Sequence, residues 1–133
     1  MVAVVLSAAR PYIRNDNEQA FREHIQRNIA MYKVSIMYPN QKAARFDFNY
    51  YQTKHMGLVK KHLQPFGLIK TDVEKGISGG GDQPAPYICI GNLYFKSRDG
   101  YDMGIAEAGP ILRGDISNFT DITPVRQISE ILD

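Results

Sequence analysis

A histidine, two adjacent tyrosines and an asparagine carry most of the chemistry this chain can be expected to do. His55 stands in FDFNYYQTKHMGLVKKHL, four residues after Tyr51 and four before Val59. On a helix that spacing puts Phe48, Tyr51, His55, Leu58, Val59 and His62 on one face. An imidazole there, with an unperturbed pKa of ~6.5, can act as general acid or base near neutral pH. A core histidine hydrogen-bonded to a backbone carbonyl or to Asp47 fits the same residues, so both readings stand. The Tyr51 hydroxyl and the imidazole can together bracket a substrate oxygen, with Tyr50 as a second phenol; an amphipathic tyrosine with a wet tip is the plainer alternative. Asn92 lies inside the apolar run YICIGNLYF, where a carboxamide without partners costs ~1–3 kcal/mol. It either pairs with a neighbouring loop or orients a ligand carbonyl, with Tyr94 on the same strand face.

Other chemistries find less support. His62 is two helical turns from His55, roughly 10 Å away, too far to share a metal without further ligands. His24 lies near the N-terminus, and there is no HExxH or cysteine pair, so no zinc site is expected. Haem ligation through His55 is left open by the imidazole alone and has no second residue behind it; otherwise no cofactor is expected. Cys89 is the single cysteine. It excludes an internal disulfide, sits mid-strand with no basic neighbour in sequence, and reads as an inert buried thiol in a reducing, cytoplasmic setting. The run GISGGGDQPAPYI, residues 76–88, lacks the following helix and Lys-Ser/Thr pair of a phosphate cradle. It reads as a long connection between strands, stiffened by Pro84 and Pro86, in which Gly79, Gly80 and Gly81 can serve as the hinge of a flap near a pocket mouth or dimer seam. A plain mobile loop is the alternative.

The elements that must position these groups follow from periodicity. Tyr32, Val34, Ile36 and Tyr38 alternate along a first strand ended by Pro39-Asn40. Asp47 caps a helix from Phe48 to about Leu63, stopped by Pro65 and Gly67. Ile69, Thr71 and Val73 give one side of a second strand over Ile69 to Glu74. Residues 87–95 form a third, near-continuously apolar and hence central. Ser97 caps a helix to about Ala108, which Pro110 is expected to end. Thr123 to Ile131 alternates as a last strand, preceded by turn and capping residues Asn118, Thr120 and Asp121. Upstream, Asn15 or Asp16 caps a helix whose apolar stripe, Phe21, Ile25 and Ile29, is thin. The division is an N-terminal extension over 1–30, partly helical, with Met31 as a candidate native start, and one domain over 31–133.

The order β-α-β-β-α-β is the ferredoxin-like split βαβ pattern of the α+β class: a four-stranded antiparallel sheet with helices on one face. Ile88 and Ile90 face away from Cys89 and Leu93, so the bare sheet face is also apolar. A second copy of the same sheet covers it most simply, which predicts a homodimer.

The segments "YPN" at 38–40, "ARFDFNYYQTKHMGLV" at 44–59, "GGG…APYICIGNLYF" at 79–95 and "DISNFTDITPVRQISEI" at 115–131 resemble the EthD family, named for ethyl tert-butyl ether degradation, of the dimeric α/β-barrel superfamily. The likeness spans residues 31–133 in the family's order. It implies protomers whose sheets pair into a barrel, a pocket between sheet and helices, and His55 as the histidine of the family's "YY…HM.LV" motif. Superfamily members range over cofactor-free monooxygenases, cyclases, isomerases and haem-handling enzymes, so the resemblance alone chooses no reaction.

Composition agrees with a soluble single domain. The 133 residues are 44% apolar and 23% charged, and 16 basic residues against 14 acidic leave a net +2. The basic residues are scattered apart from Lys60-Lys61, so no nucleic-acid partner is expected. The apolar N-terminal run Val2 to Ala9 has no preceding positive residue and is too short to cross a bilayer, so neither a secretory signal nor membrane partnership is expected. The expected function is binding of a hydrophobic, oxygen-bearing small molecule in catabolism. It is paired either with a metal-free proton-transfer or oxygenation step, or with a non-catalytic accessory or carrier role beside a partner oxidase.

Overall fold

In this computed structural model the described residues are 15–29 and 31–132, with backbone alone for residues 23–29. The expectations for residues 1–14, and for the side chains of His24, Ile25 and Ile29, lie outside them.

Tyr32–Pro39 forms β1, and its even-numbered side chains Val34, Ile36 and Tyr38 enter the core with period two. β2 is Leu68–Lys75, β3 is Tyr87–Phe95 and β4 is Val125–Glu130. The antiparallel sheet has the order β2-β3-β1-β4, the ferredoxin-like arrangement, with the most apolar strands in the middle. Leu68 and Lys70 bracket a register shift against β3, which pushes Ile69 outward to 45% exposure. Leu68 takes the inward place that simple alternation assigns to Ile69.

Helix α1, Asp16–Ile29, begins where expected: the Asn15 side chain accepts from the Glu18 N–H at 2.7 Å. Helix α2 is composite, with α turns at Phe48–Tyr50 and Met56–Leu63 flanking a π turn at Tyr51–His55. Asp47 caps it by accepting from Tyr50 N–H at 3.0 Å, and the 3₁₀ turn Gln64–Phe66 ends it at Gly67. The π turn inserts a residue into the helical count. After His55 the buried face therefore runs through Met56, Val59 and Leu63, while Leu58 and His62 are left half-buried at its flank.

Helix α3, Arg98–Gly114, is capped by Ser97, whose hydroxyl accepts from Gly100 N–H at 3.0 Å. It runs straight past Pro110. The ring removes one backbone bond, but Ala108, Gly109 and Leu112 are buried on either side of it, and that packing holds the helix together. α2 and α3 cover one face of the sheet. Their Tyr51, Met56, Val59, Leu63, Tyr101 and Leu112 pack on Val34, Tyr38, Leu93 and Phe95.

Candidate active site

His55 closes the π turn and is 6% exposed. Its Nδ1 lies 2.9 Å from Asp115 Oδ2, sixty residues away at the end of α3. Asp115 is held from three sides: Tyr50 Oη donates to its Oδ1 at 2.7 Å, Asn118 Nδ2 donates to the same oxygen at 2.8 Å, and His55 takes the other oxygen. Burial pulls the Asp115 pKa upward, but the Asn118, Tyr50 and His55 donors outweigh it and leave the acid stronger than usual. Burial lowers the His55 pKa, and the hydrogen bond and charge of Asp115 only partly restore it. At neutral pH the pair is therefore carboxylate and neutral imidazole. A carboxylate can only accept, so the proton sits on Nδ1 and Nε2 presents its lone pair. Among the described residues no group bonds Nε2, and the single sealed, unpartnered side-chain atom is Asn92 Oδ1. With its lone pair free, Nε2 has the form of a general base.

Aromatic rings fix the imidazole plane. Tyr51 stacks on it at 5.4 Å and 16°, and Phe119, itself 4.9 Å from Tyr51, packs against it at 4.7 Å. The Tyr51 hydroxyl does not face the imidazole. It bonds to Tyr38 and rests against Gly91 on the sheet, and burial raises its pKa well above the usual phenol value. The phenol beside the dyad is that of Tyr50, through Asp115.

The turn carrying Asp115 is anchored by the loop before α2. Arg45 Nη2 donates to Ser117 O at 2.8 Å, Arg45 N–H donates to Asp121 Oδ1 at 3.0 Å, and Thr120 Oγ1 donates to Arg45 O at 2.6 Å. The residues expected to act as turn and capping groups thus fasten the dyad's acid. Asp115 itself went unread as a partner: sixty residues separate it from His55, and only its place at the head of DISNFTDITP pointed to it.

Asn92 and Tyr94 lie on the opposite face of the sheet from His55. Asn92 Nδ2 donates to Asp72 Oδ1 and Glu74 Oε2, each at 2.7 Å, and Tyr94 Oη donates to Asp72 Oδ2 at 3.1 Å. The fold therefore does not bring them into one site with the dyad. Gly79, Gly80 and Gly81 sit in an exposed turn, with Gly79 N–H donating to Gln83 O at 2.9 Å. Asn40 ties the end of that loop to β1 through Ala85 O and Pro86 O, both at 2.9 Å. The Cys89 thiol is buried, and burial with Glu74 nearby pushes its pKa up to about 12, far from thiolate chemistry. Among the described residues no three His, Cys, Asp or Glu side chains cluster as metal ligands, and no helix is long and apolar enough to cross a membrane.

A cavity of about 760 Å³ opens on the helix side of β1 and β4, lined by Ile36, Arg126 and the segment after α3. Arg113 and Ile116, two residues before and one after Asp115, are part of its wall, while His55 is not.

No protein-family model and no curated protein matches the chain. Among solved structures, an EthD-like protein from Ralstonia eutropha JMP134 is 36% identical over 78% of this chain and 94% of its own, with a TM-score of 0.74. An ethyl tert-butyl ether (EthD) family protein from Bacillus halodurans C-125 is 18% identical, covering 77% of this chain and 99% of its own, at a TM-score of 0.60. A DABB family protein with a ferredoxin-like fold from Mesorhizobium loti MAFF303099 reaches 12% identity and a TM-score of 0.51 over 78% and 99%. The last two bear on the fold alone.

Proposed function

The chain belongs to the EthD family, and from that premise we propose that it binds a hydrophobic, oxygen-bearing small molecule and transfers a proton, with His55 as base. The buried His55–Asp115 pair at 2.9 Å carries this reading. Asp115 holds the Nδ1 proton, Nε2 accepts a proton from a weakly acidic C–H or O–H of the ligand, and Asp115 stabilises the imidazolium that results. Tyr51 and Phe119 act as positioning residues by packing against the ring, and Tyr50 with Asn118 keeps Asp115 ionised.

A second reading has its own observation. The cavity wall lacks His55, as suits a carrier or accessory protein that holds its ligand without acting on it. Incubation with a panel of hydrophobic ketones and phenylacetic derivatives in D₂O separates the two. Deuterium incorporation above buffer that a folded His55→Ala variant lacks supports proton transfer; equal incorporation by the variant removes it.

The bare sheet face is proposed to pair with a second copy, as the half-buried Met37, Ile88 and Ile90 on that face suggest. Sedimentation equilibrium is expected to give a dimer that Ile90→Glu dissociates; a wild-type monomer at tens of micromolar would reject the pairing. The single unpaired thiol supports a reducing, cytoplasmic setting within the same proposal.

A further inference from the structure

Two guanidinium groups from different elements converge on the cavity. Arg126 comes from β4, on the helix-facing side opposite Ile36. Arg113 comes from the last turn of α3. Beside them the wall has an apolar part, Ile36, Ile116, Ile122 and Pro124, and a polar part that includes Asp121. Such a surface has no need of two cations for its own stability.

Among the described residues neither guanidinium has an ion pair. Arg126 Nη1 donates to Tyr101 Oη at 3.0 Å, which aims the group and leaves most of its donors unused. Arg113 makes no hydrogen bond or ion pair among the described residues. The single carboxylate of the wall, Asp121, accepts the Arg45 N–H through Oδ1 and makes no ion pair with either arginine. Arg113 is also given a seat: its Nη1 lies 2.7 Å from where a Cβ on Gly109 would stand, so the guanidinium lies along the helix over the missing side chain.

We propose that this cavity binds a hydrophobic small molecule bearing a carboxylate, with Arg113 and Arg126 gripping the anion and the isoleucines covering the apolar body. Planar guanidinium forks match a carboxylate's two oxygens. This deepens the binding half of the proposed function and rests on it; it does not need the proton-transfer half.

The test is calorimetric titration of the full chain with aryl and alkyl carboxylates (benzoate, 2-naphthoate, octanoate), each against its neutral carboxamide. Carboxylates are expected to bind roughly tenfold or more tightly than their amides. Arg113→Gln and Arg126→Gln should each erase that preference while leaving the amide affinity in place. Gly109→Ala supplies a variant that spares the fold, since alanine favours a helix and only a flexible side-chain end must move. It should displace Arg113 and lower carboxylate affinity several-fold without lowering the melting temperature. If carboxylates and amides bind alike, the anion assignment falls and the cavity remains a neutral-ligand site. If neither class binds, both the assignment and the binding half of the proposed function fall. If Gly109→Ala binds carboxylates as wild type does, Arg113 is not a ligand group.

Discussion

Asp115→Asn is expected to move the His55 proton from Nδ1 to Nε2 and to reduce turnover by about 10²–10⁴-fold. Asp115 Oδ1 already receives Tyr50 Oη and Asn118 Nδ2, at 2.7 and 2.8 Å. The carboxamide oxygen of an asparagine would keep that position, because a flip would set its NH₂ against the Asn118 NH₂. Its own NH₂ then faces Nδ1, which must become the acceptor. Nε2 would carry the proton and could no longer take one from a ligand. ¹⁵N chemical shifts of the imidazole read this directly: pyrrole-type Nδ1 and pyridine-type Nε2 in wild type, exchanged in the variant. Unchanged shifts together with an unchanged rate would remove Asp115 from the mechanism.

The same substitution has a signed effect on titration. Asp115 raises the His55 pKa against the larger lowering by burial. Without it the imidazole should protonate at still lower pH in an NMR titration. In wild type both groups have folded pKa values below their ordinary ones. In each case the unfolded chain binds the proton more readily, so stability rises with pH through the window. It should be lost in two steps as pH falls, one below ~6.5 as His55 gains its charge and one below ~3.9 as Asp115 is protonated and loses its own. Asp115→Asn should abolish the lower step.

Gly91→Ala is expected to destabilise the fold by about 3 kcal/mol, the upper end for overpacking a rigid core, or roughly 10 °C in melting temperature. A Cβ at Gly91 would overlap the Tyr51 hydroxyl, which is wedged between α2 and the sheet, hydrogen-bonded to Tyr38 and unable to turn aside. Tyr51 also stacks on His55, so the displacement should reach the dyad and broaden the His55 resonances. Tyr51→Phe removes the oxygen, and in the double variant most of the loss should return, because the next ring atom stands at 3.1 Å, a contact that a small shift relieves. Additive losses in the double-mutant cycle would show that the clash lies elsewhere.

The architecture was legible because it rests on local signals. Alternation marked β1 and β3, Asp47 and Ser97 marked helix starts, and Gly67 marked an end. The misreadings also have local causes. Ile69 and Leu68 exchange faces at a bulge, and the π turn at Tyr51–His55 rotates the rest of α2 by one residue, where an ideal 3.6-residue period puts His62 inward. Pro110 looks like a terminator when the packing on both sides of it is unknown. At the site, His55 and Tyr51 were visible because they share one helix. Asp115 was not, since no periodicity links residues joined only by tertiary contact, and Asn92, a candidate to orient a ligand carbonyl, is turned by strand register to the other face.

The sixty-residue separation of His55 and Asp115 also sets when the base comes into being. Closing a chain loop of that length costs entropy that grows with the logarithm of its length, before either partner gains anything. Helix α2 can form locally on its Asp47 cap, but its imidazole has no fixed tautomer until α3 and the turn fastened by Arg45 have docked. On the proposed mechanism, chemical competence is therefore expected late in folding. In a refolding experiment it should lag the recovery of helical signal and arrive together with the last long-range contacts.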